Sequence, residues 1–156
     1  MQKITPFLWF DTNAEEALNF YASIFKHTKI GHVARYSEGA PGPAGQIMTA
    51  EIEIEGQQFT FLNGGPQFKF TEAVSFVVNC KDQEEVDYYW EKLSAGGQTS
   101  QCGWLKDKFG VSWQIVPEAL GKLLSKSNPE QAQRVMGALL QMTKINVSAL
   151  EEAYTA

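Results

Sequence analysis

Histidines, cysteines and paired carboxylates are the side chains here with the chemistry to ligate a metal or move a proton, and spacing decides among them. His27 and His32 stand five residues apart across an expected helix-to-strand junction. That is not the spacing that puts two imidazoles on one helix face, so both read as exposed or edge histidines. Glu51 and Glu53 share one face of an expected strand. Such a pair divides acid and base roles only if one member is desolvated, and a solvated sheet face or rim is the plainer reading. Cys80 and Cys102 lack the paired spacing of a zinc site and are too few for a disulfide framework, which predicts reduced, half-buried thiols. Lys106 is close enough in sequence to lower the Cys102 pKa, but no histidine partner is evident to activate that thiol. Asp107, between Lys106 and Lys108 and ahead of Gly110, falls where a hairpin turn needs polar residues. No residue is assigned a catalytic role on these grounds.

Composition narrows the classes of partner. The chain has 156 residues, enough for one domain with a real core, and 44% hydrophobic with 20% charged residues is an ordinary globular balance. The formal net charge is -5, and the thirteen basic residues are scattered, which argues against a nucleic-acid partner. Met1 to Pro6 leads directly into a strand-like segment without a long apolar stretch, so the expectation is a cytoplasmic protein with no membrane partner.

The elements that must position any site follow from periodicity. Thr5 to Phe10 alternates Thr5, Phe7, Trp9 against Pro6, Leu8, Phe10, and with both faces apolar it is expected to be covered on both. Asp11-Thr12-Asn13 then offers helix caps, followed by a helix to about Phe25 with Ala17, Phe20, Tyr21, Ile24 and Phe25 inward. Strands follow near Lys29 to Tyr36, Gln46 to Glu55 and Gln58 to Leu62, the last two joined at Gly56. The stretch from Glu38 to Gly45 is rich in turn formers and reads as a surface loop. The order then recurs: a strand at Ala73 to Cys80, a helix from Asp82 to about Ser94, and strands near Gln98 to Trp104 and Val111 to Val116. Asn19-Phe20-Tyr21 matches Asp87-Tyr88-Tyr89 at an offset of 68 residues, which points to an internal duplication. After Pro117, Glu118 to Lys126 and Pro129 to Met142 read as helices appended to the duplicated unit, the second with a packing stripe of Val135, Met136, Leu139 and Leu140.

A strand, a helix and three strands, repeated, resembles the module order of the vicinal oxygen chelate superfamily. More closely, FLWFDTNAEEALNFY at 7 to 21, FTFLNGGPQFKF at 59 to 70, AVSFVVNCKDQEEVDYYWEKL at 73 to 93 and CGWLKDKFGVSWQIVP at 102 to 117 resemble the PhnB-like branch, often labelled 3-demethylubiquinone 3-methyltransferase-like. The tail from 133 to 154 is also similar to that branch. The resemblance implies an α+β fold: two glyoxalase-like βαβββ modules, residues 3 to 64 and 72 to 117, forming curved mixed sheets around a cavity within a single domain 1 to 156, with a helical extension over 118 to 156. It also implies a homodimer.

Metal-using members of that superfamily draw His, Gln or Glu ligands from four strand positions, which align here with Thr5, Asn63, Ser75 and Gln114. All four are neutral, as hydroxyls and amides rarely offset dehydration of a divalent ion, so no catalytic metal and no other cofactor is expected. The implied cavity is lined by Thr5, Phe7, Trp9, Phe61, Asn63, Ser75, Cys102, Trp104 and Gln114, a surface for stacking on and hydrogen bonding to a flat or amphipathic small molecule. The same aromatics would equally fill an ordinary core. The reading is a metal-independent small-molecule binding or sequestering protein; the alternative is an enzyme of the superfamily (lyase, isomerase or dioxygenase) or a small-molecule methyltransferase as the family label implies. Against the methyltransferase, no glycine-rich strand-to-helix turn with a following acid is present, and Pro66 after Gly64-Gly65 bars a helix from opening there.

Overall fold

The computed structural model describes residues 2–156. Two compact units emerge, one ending at Phe70 and one spanning Thr71–Ala156. In the first, the chain runs β1 (Phe7–Phe10), α1 (Ala14–Ile24), β2 (Thr28–Arg35), β3 (Ile47–Ile54) and β4 (Gln57–Asn63), with sheet order β1-β4-β3-β2. Glu55 and Gly56, at φ 48 and 86, make the tight reversal between β3 and β4. Positive φ at both central positions is the hairpin geometry that follows the right-handed twist of the strands.

Parallel pairing of β1 with β4 sets Leu8 opposite Phe61 and Phe10 opposite Asn63. Partners across a ladder point to the same face, and here that face meets α1. Ala14, Ala17, Leu18, Tyr21 and Ile24 are the buried residues of the helix, spaced three or four apart. Leu18 thus belongs to the inner stripe while Phe20 lies at its edge, a one-position correction to the expected stripe. Phe61 centres this core, its ring 4.9 Å from Phe10 and 5.8 Å from Tyr21. The other face of β1 is not covered alike: Phe7 is 61% exposed, whereas the sequence reading covered both faces. A single helix layer lies against one side of this sheet, so apolar character on the other side does not secure burial.

The start of α1 departs from the expected cap. Asn13 holds the N-cap position without a side-chain cap bond. Instead the buried Asn63 reaches from the end of β4, its Oδ1 accepting from the Ala14 N–H at 2.9 Å.

The second unit repeats the plan with β5 (Ser75–Cys80), α2 (Gln83–Ser94), β6 (Gln98–Thr99), β7 (Trp104–Lys106) and β8 (Ser112–Pro117), ordered β5-β8-β7-β6. Here the cap is local: Asp82 accepts from the Glu85 N–H. The single strand expected over 98 to 104 is two short strands. Cys102 and Gly103 between them adopt φ 59 and 85, and a Cβ at Gly103 would lie 2.9 Å from the Ile115 carbonyl oxygen. Asp107 is buried in the next turn, accepting from the Phe109 and Val111 N–H groups and from Trp113 Nε1. The carboxylate therefore serves the turn, as its position suggested.

Helices α3 (Glu118–Lys126), α4 (Pro129–Leu140) and α5 (Val147–Thr155) follow β8, the last adding a third helix within the extension expected over 118 to 156. Leu123, Val135, Leu139, Ile145 and Leu150 form their common core, with Cys102 packed against it. Met136 and Leu140, expected in the packing stripe of α4, are exposed, because the cluster is narrow enough to be served by Val135 and Leu139 alone. The Cys102 and Gly103 N–H groups donate to the Met142 and Thr143 carbonyls, tying the helical segment to the β6–β7 turn.

Replacing Asn63 by Ala removes the acceptor of a buried N–H and is expected to cost about 1–2 kcal/mol. Urea unfolding measures this, and an unchanged midpoint would show that water caps the helix equally well.

Candidate functional site

Alternation along the strands divides each sheet into a helix-covered face and an open face. In the first unit the register places Phe7, Trp9, Thr49, Glu51, Thr60 and Leu62 on the open side. Phe61 and Asn63, read from sequence as cavity residues, turn the other way. Phe61 is 0% exposed beneath α1, and Asn63 is committed to the Ala14 N–H. The alignment was one residue out of phase in β4, and a one-residue slip exchanges faces. Leu62, which takes the open side instead, has no ligating atom. Thr5 precedes β1 and is half-buried.

Trp9 is held on the open side by the segment that follows β4. Its Nε1–H donates to the Gly65 carbonyl at 2.9 Å, and Phe68 meets its ring edge-on at 4.9 Å. Gly64 lies against the indole, where a Cβ would come within 2.4 Å of ring atoms. Glu51 stands exposed on the same side of the sheet, and His32 is exposed on β2. His27, 81% exposed, pairs with Glu55 at 3.2 Å. These placements match the plain readings of the two histidines and of Glu51, while Glu53, on the same side of the sheet, is half-buried.

In the second unit three of the expected residues do share one face. Trp104 and Val77 lie opposite Gln114 across the two adjoining ladders, and Ser75 lies opposite Ser112. Gln114 Nε2 donates to Ser75 Oγ at 2.9 Å. Beside them opens a pocket of about 410 Å³, lined by Glu72, Gln98, Cys102, Trp104, Lys106 and Ser112 among others. Lys106 Nζ pairs with the Glu72 carboxylate, and this hydrogen-bonded cation holds the Glu72 pKa below its ordinary value. Ser112 is 1% exposed, with its Oγ buried and lacking a hydrogen-bond partner. Such a hydroxyl forfeits about 1–3 kcal/mol unless something reaches it.

Glu72, Gln98, Lys106 and Ser112 escaped the sequence reading as pocket residues. The signal was present: Lys106 and Ser112 each lie two residues from a chosen residue, Trp104 and Gln114, and so share their face. In sequence Lys106 reads as a turn residue and as a neighbour of Cys102, not as a pocket residue.

Both thiols are free, Cys80 buried and Cys102 half-buried in the pocket wall. Burial, helped by the nearby Glu85 and Asp82 charges, pushes the Cys80 pKa from 9.0 up to about 12. Among the described residues no group of three or more His, Cys, Asp or Glu comes together to hold a metal ion. Nor is any described helix long and apolar enough to cross a membrane.

Duplicated strand-helix-strand units with open sheet faces are the architecture of glyoxalase-like proteins, and comparison with known proteins gives the branch. The model of the family described as 3-demethylubiquinone-9 3-methyltransferase matches residues 2–116, ending just before α3. A putative 3-demethylubiquinone-9 3-methyltransferase, PhnB protein, from Bacillus cereus is 39% identical over 74% of this chain and 99% of its own, with a TM-score of 0.70. Protein PA1353 from Pseudomonas aeruginosa is 21% identical over 76% of this chain and 98% of its own, TM-score 0.64. The fosfomycin resistance protein FosX from Listeria monocytogenes, in complex with Mn(II) and sulfate, shares the fold at 15% identity and TM-score 0.56, over 81% of this chain and 98% of its own. No curated protein matches the chain. The chain belongs to the PhnB-like 3-demethylubiquinone-9 3-methyltransferase family of the vicinal oxygen chelate superfamily.

Because Cys80 favours the neutral thiol when folded, its contribution to stability is complete below pH 9 and is lost as pH rises towards about 12. Denaturation midpoints should fall across that alkaline window in the wild type and flatten in Cys80→Ala. In the native protein a thiol reagent should modify Cys102 alone; rapid labelling of both thiols would contradict the burial of Cys80.

Proposed function

We propose that this chain is a metal-independent protein that binds or sequesters a small molecule. The observation that carries the reading is the neutral Gln114–Ser75 hydrogen bond on the second sheet's open face, beside a pocket of about 410 Å³ that Trp104 helps to wall. That volume lies within the range of small-molecule sites. The donor set aligned with superfamily ligands does not suit a divalent ion: Thr5, Ser75 and Gln114 offer only hydroxyl and amide groups, and the Asn63 oxygen is already bonded to a helix N–H. Purified protein should carry less than about a tenth of an equivalent of zinc, nickel, iron or manganese. Stoichiometric metal that disappears in Gln114→Ala would overturn the reading.

The family description names a methyltransferase, and the chain's own glycines speak against a cofactor seat of the dinucleotide-binding type. Gly64 packs on the Trp9 indole, the Gly65 carbonyl accepts the indole N–H, and Pro66 follows without a helix. In a thermal-shift screen S-adenosylmethionine should therefore leave the melting temperature unchanged. A ligand at a hundred times its dissociation constant adds about 2.7 kcal/mol, so a specific response would be plain and would restore the transferase.

A cytoplasmic location and a homodimer complete the proposal. Phe7 and Val77, on the open face of each sheet, stand 61% and 47% exposed, and a second copy is the partner that would cover them. Light scattering should return twice the 17.4 kDa chain mass. A monomer at micromolar concentration would remove the dimer from the proposal and leave the pocket as it is.

A further inference from the structure

We propose that the pocket of the second unit takes the carboxylate of a small aromatic acid between Lys106 and Ser112, in the place now held by the Glu72 side chain. The inference rests on the small-molecule reading above and names its ligand class.

Four observations converge on one spot. A carboxylate is already seated on Lys106, since Glu72 reaches it from the segment ahead of β5. The Glu72 side chain is 59% exposed and that of Lys106 39%, so the pair is solvated and cheaply exchanged for another carboxylate of better fit. Lys106 lies directly opposite Ser112 across the β7–β8 ladder, which brings their Cβ atoms to roughly 5 Å on one face. Ser112 adds the second half of a carboxylate site: the residue lines the same pocket and its Oγ has no partner, although the atom is buried and the entering carboxylate gains it only by displacing what covers it.

The body of the ligand follows from Trp104. It is two residues before Lys106 on β7 and lines the pocket, so its ring and the ammonium share a face about 7 Å apart along the strand. A ring joined to its carboxylate by a short linker spans that interval, with the indole as the stacking surface. The pocket-lining residues include a single lysine and no arginine, which matches one negative charge better than two. Glu72 is then a resident competitor: it keeps the ammonium neutralised when the pocket is empty and swings into solvent when the acid enters.

The test uses the full chain and 3-phenylpropanoate as the probe, by calorimetry, against 3-phenylpropanamide and 2-phenylethylphosphonate. The expected results are at least about tenfold weaker binding of the amide and of the acid to Lys106→Gln, and about threefold or more tighter binding of the acid to Glu72→Gln, with Ser112→Ala several-fold weaker. Circular dichroism checks each variant; if one fails to fold, the amide comparison on wild type and the Glu72→Gln gain still decide. Equal binding of acid and amide, no gain in Glu72→Gln, or no binding of the acid to either protein at about 10 mM would overturn the inference, as would a tenfold preference for the phosphonate. Equal acid and amide binding would leave the small-molecule reading standing. Binding that requires added Mn(II) or Zn(II) would instead bring down the metal-independent reading.

Discussion

The parallel pairing of the first and last strands of each unit is the constraint on which the other features rest. In β1–β4 it sets Leu8 on Phe61 and Phe10 on Asn63; in β5–β8 it sets Phe76 on Trp113 and Val78 on Ile115. Because side chains alternate with a period of two, one register sends these residues beneath a helix and their neighbours to the open face. The cost of a slip is large, since Phe61 and Ile115 are both 0% exposed and would exchange places with Leu62 and Gln114 or Val116. What a unit presents to a ligand is therefore decided by what its helix must bury.

That dependence explains which parts were legible in sequence. The duplicated order of elements was readable because each unit signals it with Asn-Phe-Tyr or Asp-Tyr-Tyr on the helix and alternating strands around it. Helix α2, expected from Asp82 to about Ser94 and found over Gln83–Ser94, was readable because Asp82 caps it locally. Helix α1 was readable in extent but not in its cap, since nothing near Asn13 announces that the acceptor lies 49 residues away. The split of one expected strand into β6 and β7 needed the backbone of Cys102, whose positive φ is rare for a residue with a Cβ.

The candidate site was legible where parity was right and lost where it was not. Ser75, Trp104 and Gln114, expected around a cavity, share the open face through the β7–β8 and β5–β8 registers, and of the three Trp104 lines the pocket. Phe61 and Asn63 went to the core because the end of β4 was read one position late. Glu72 illustrates a different limit: it lies in no strand, and only the folded path of the 71–74 segment brings its carboxylate to Lys106. Alternation can name the residues of a sheet face, but not a visitor from outside the sheet.

The long-range cap of α1 also bears on how the first unit assembles. The Ala14 N–H gains its amide acceptor only when Asn63 arrives at the end of β4, and β4 reaches β1 only after β2 and β3 have been laid down. A nascent chain that has emerged only as far as β3 therefore lacks the amide acceptor of the Ala14 N–H. One side-chain amide thus makes completion of the earliest helix contingent on the last strand of its unit.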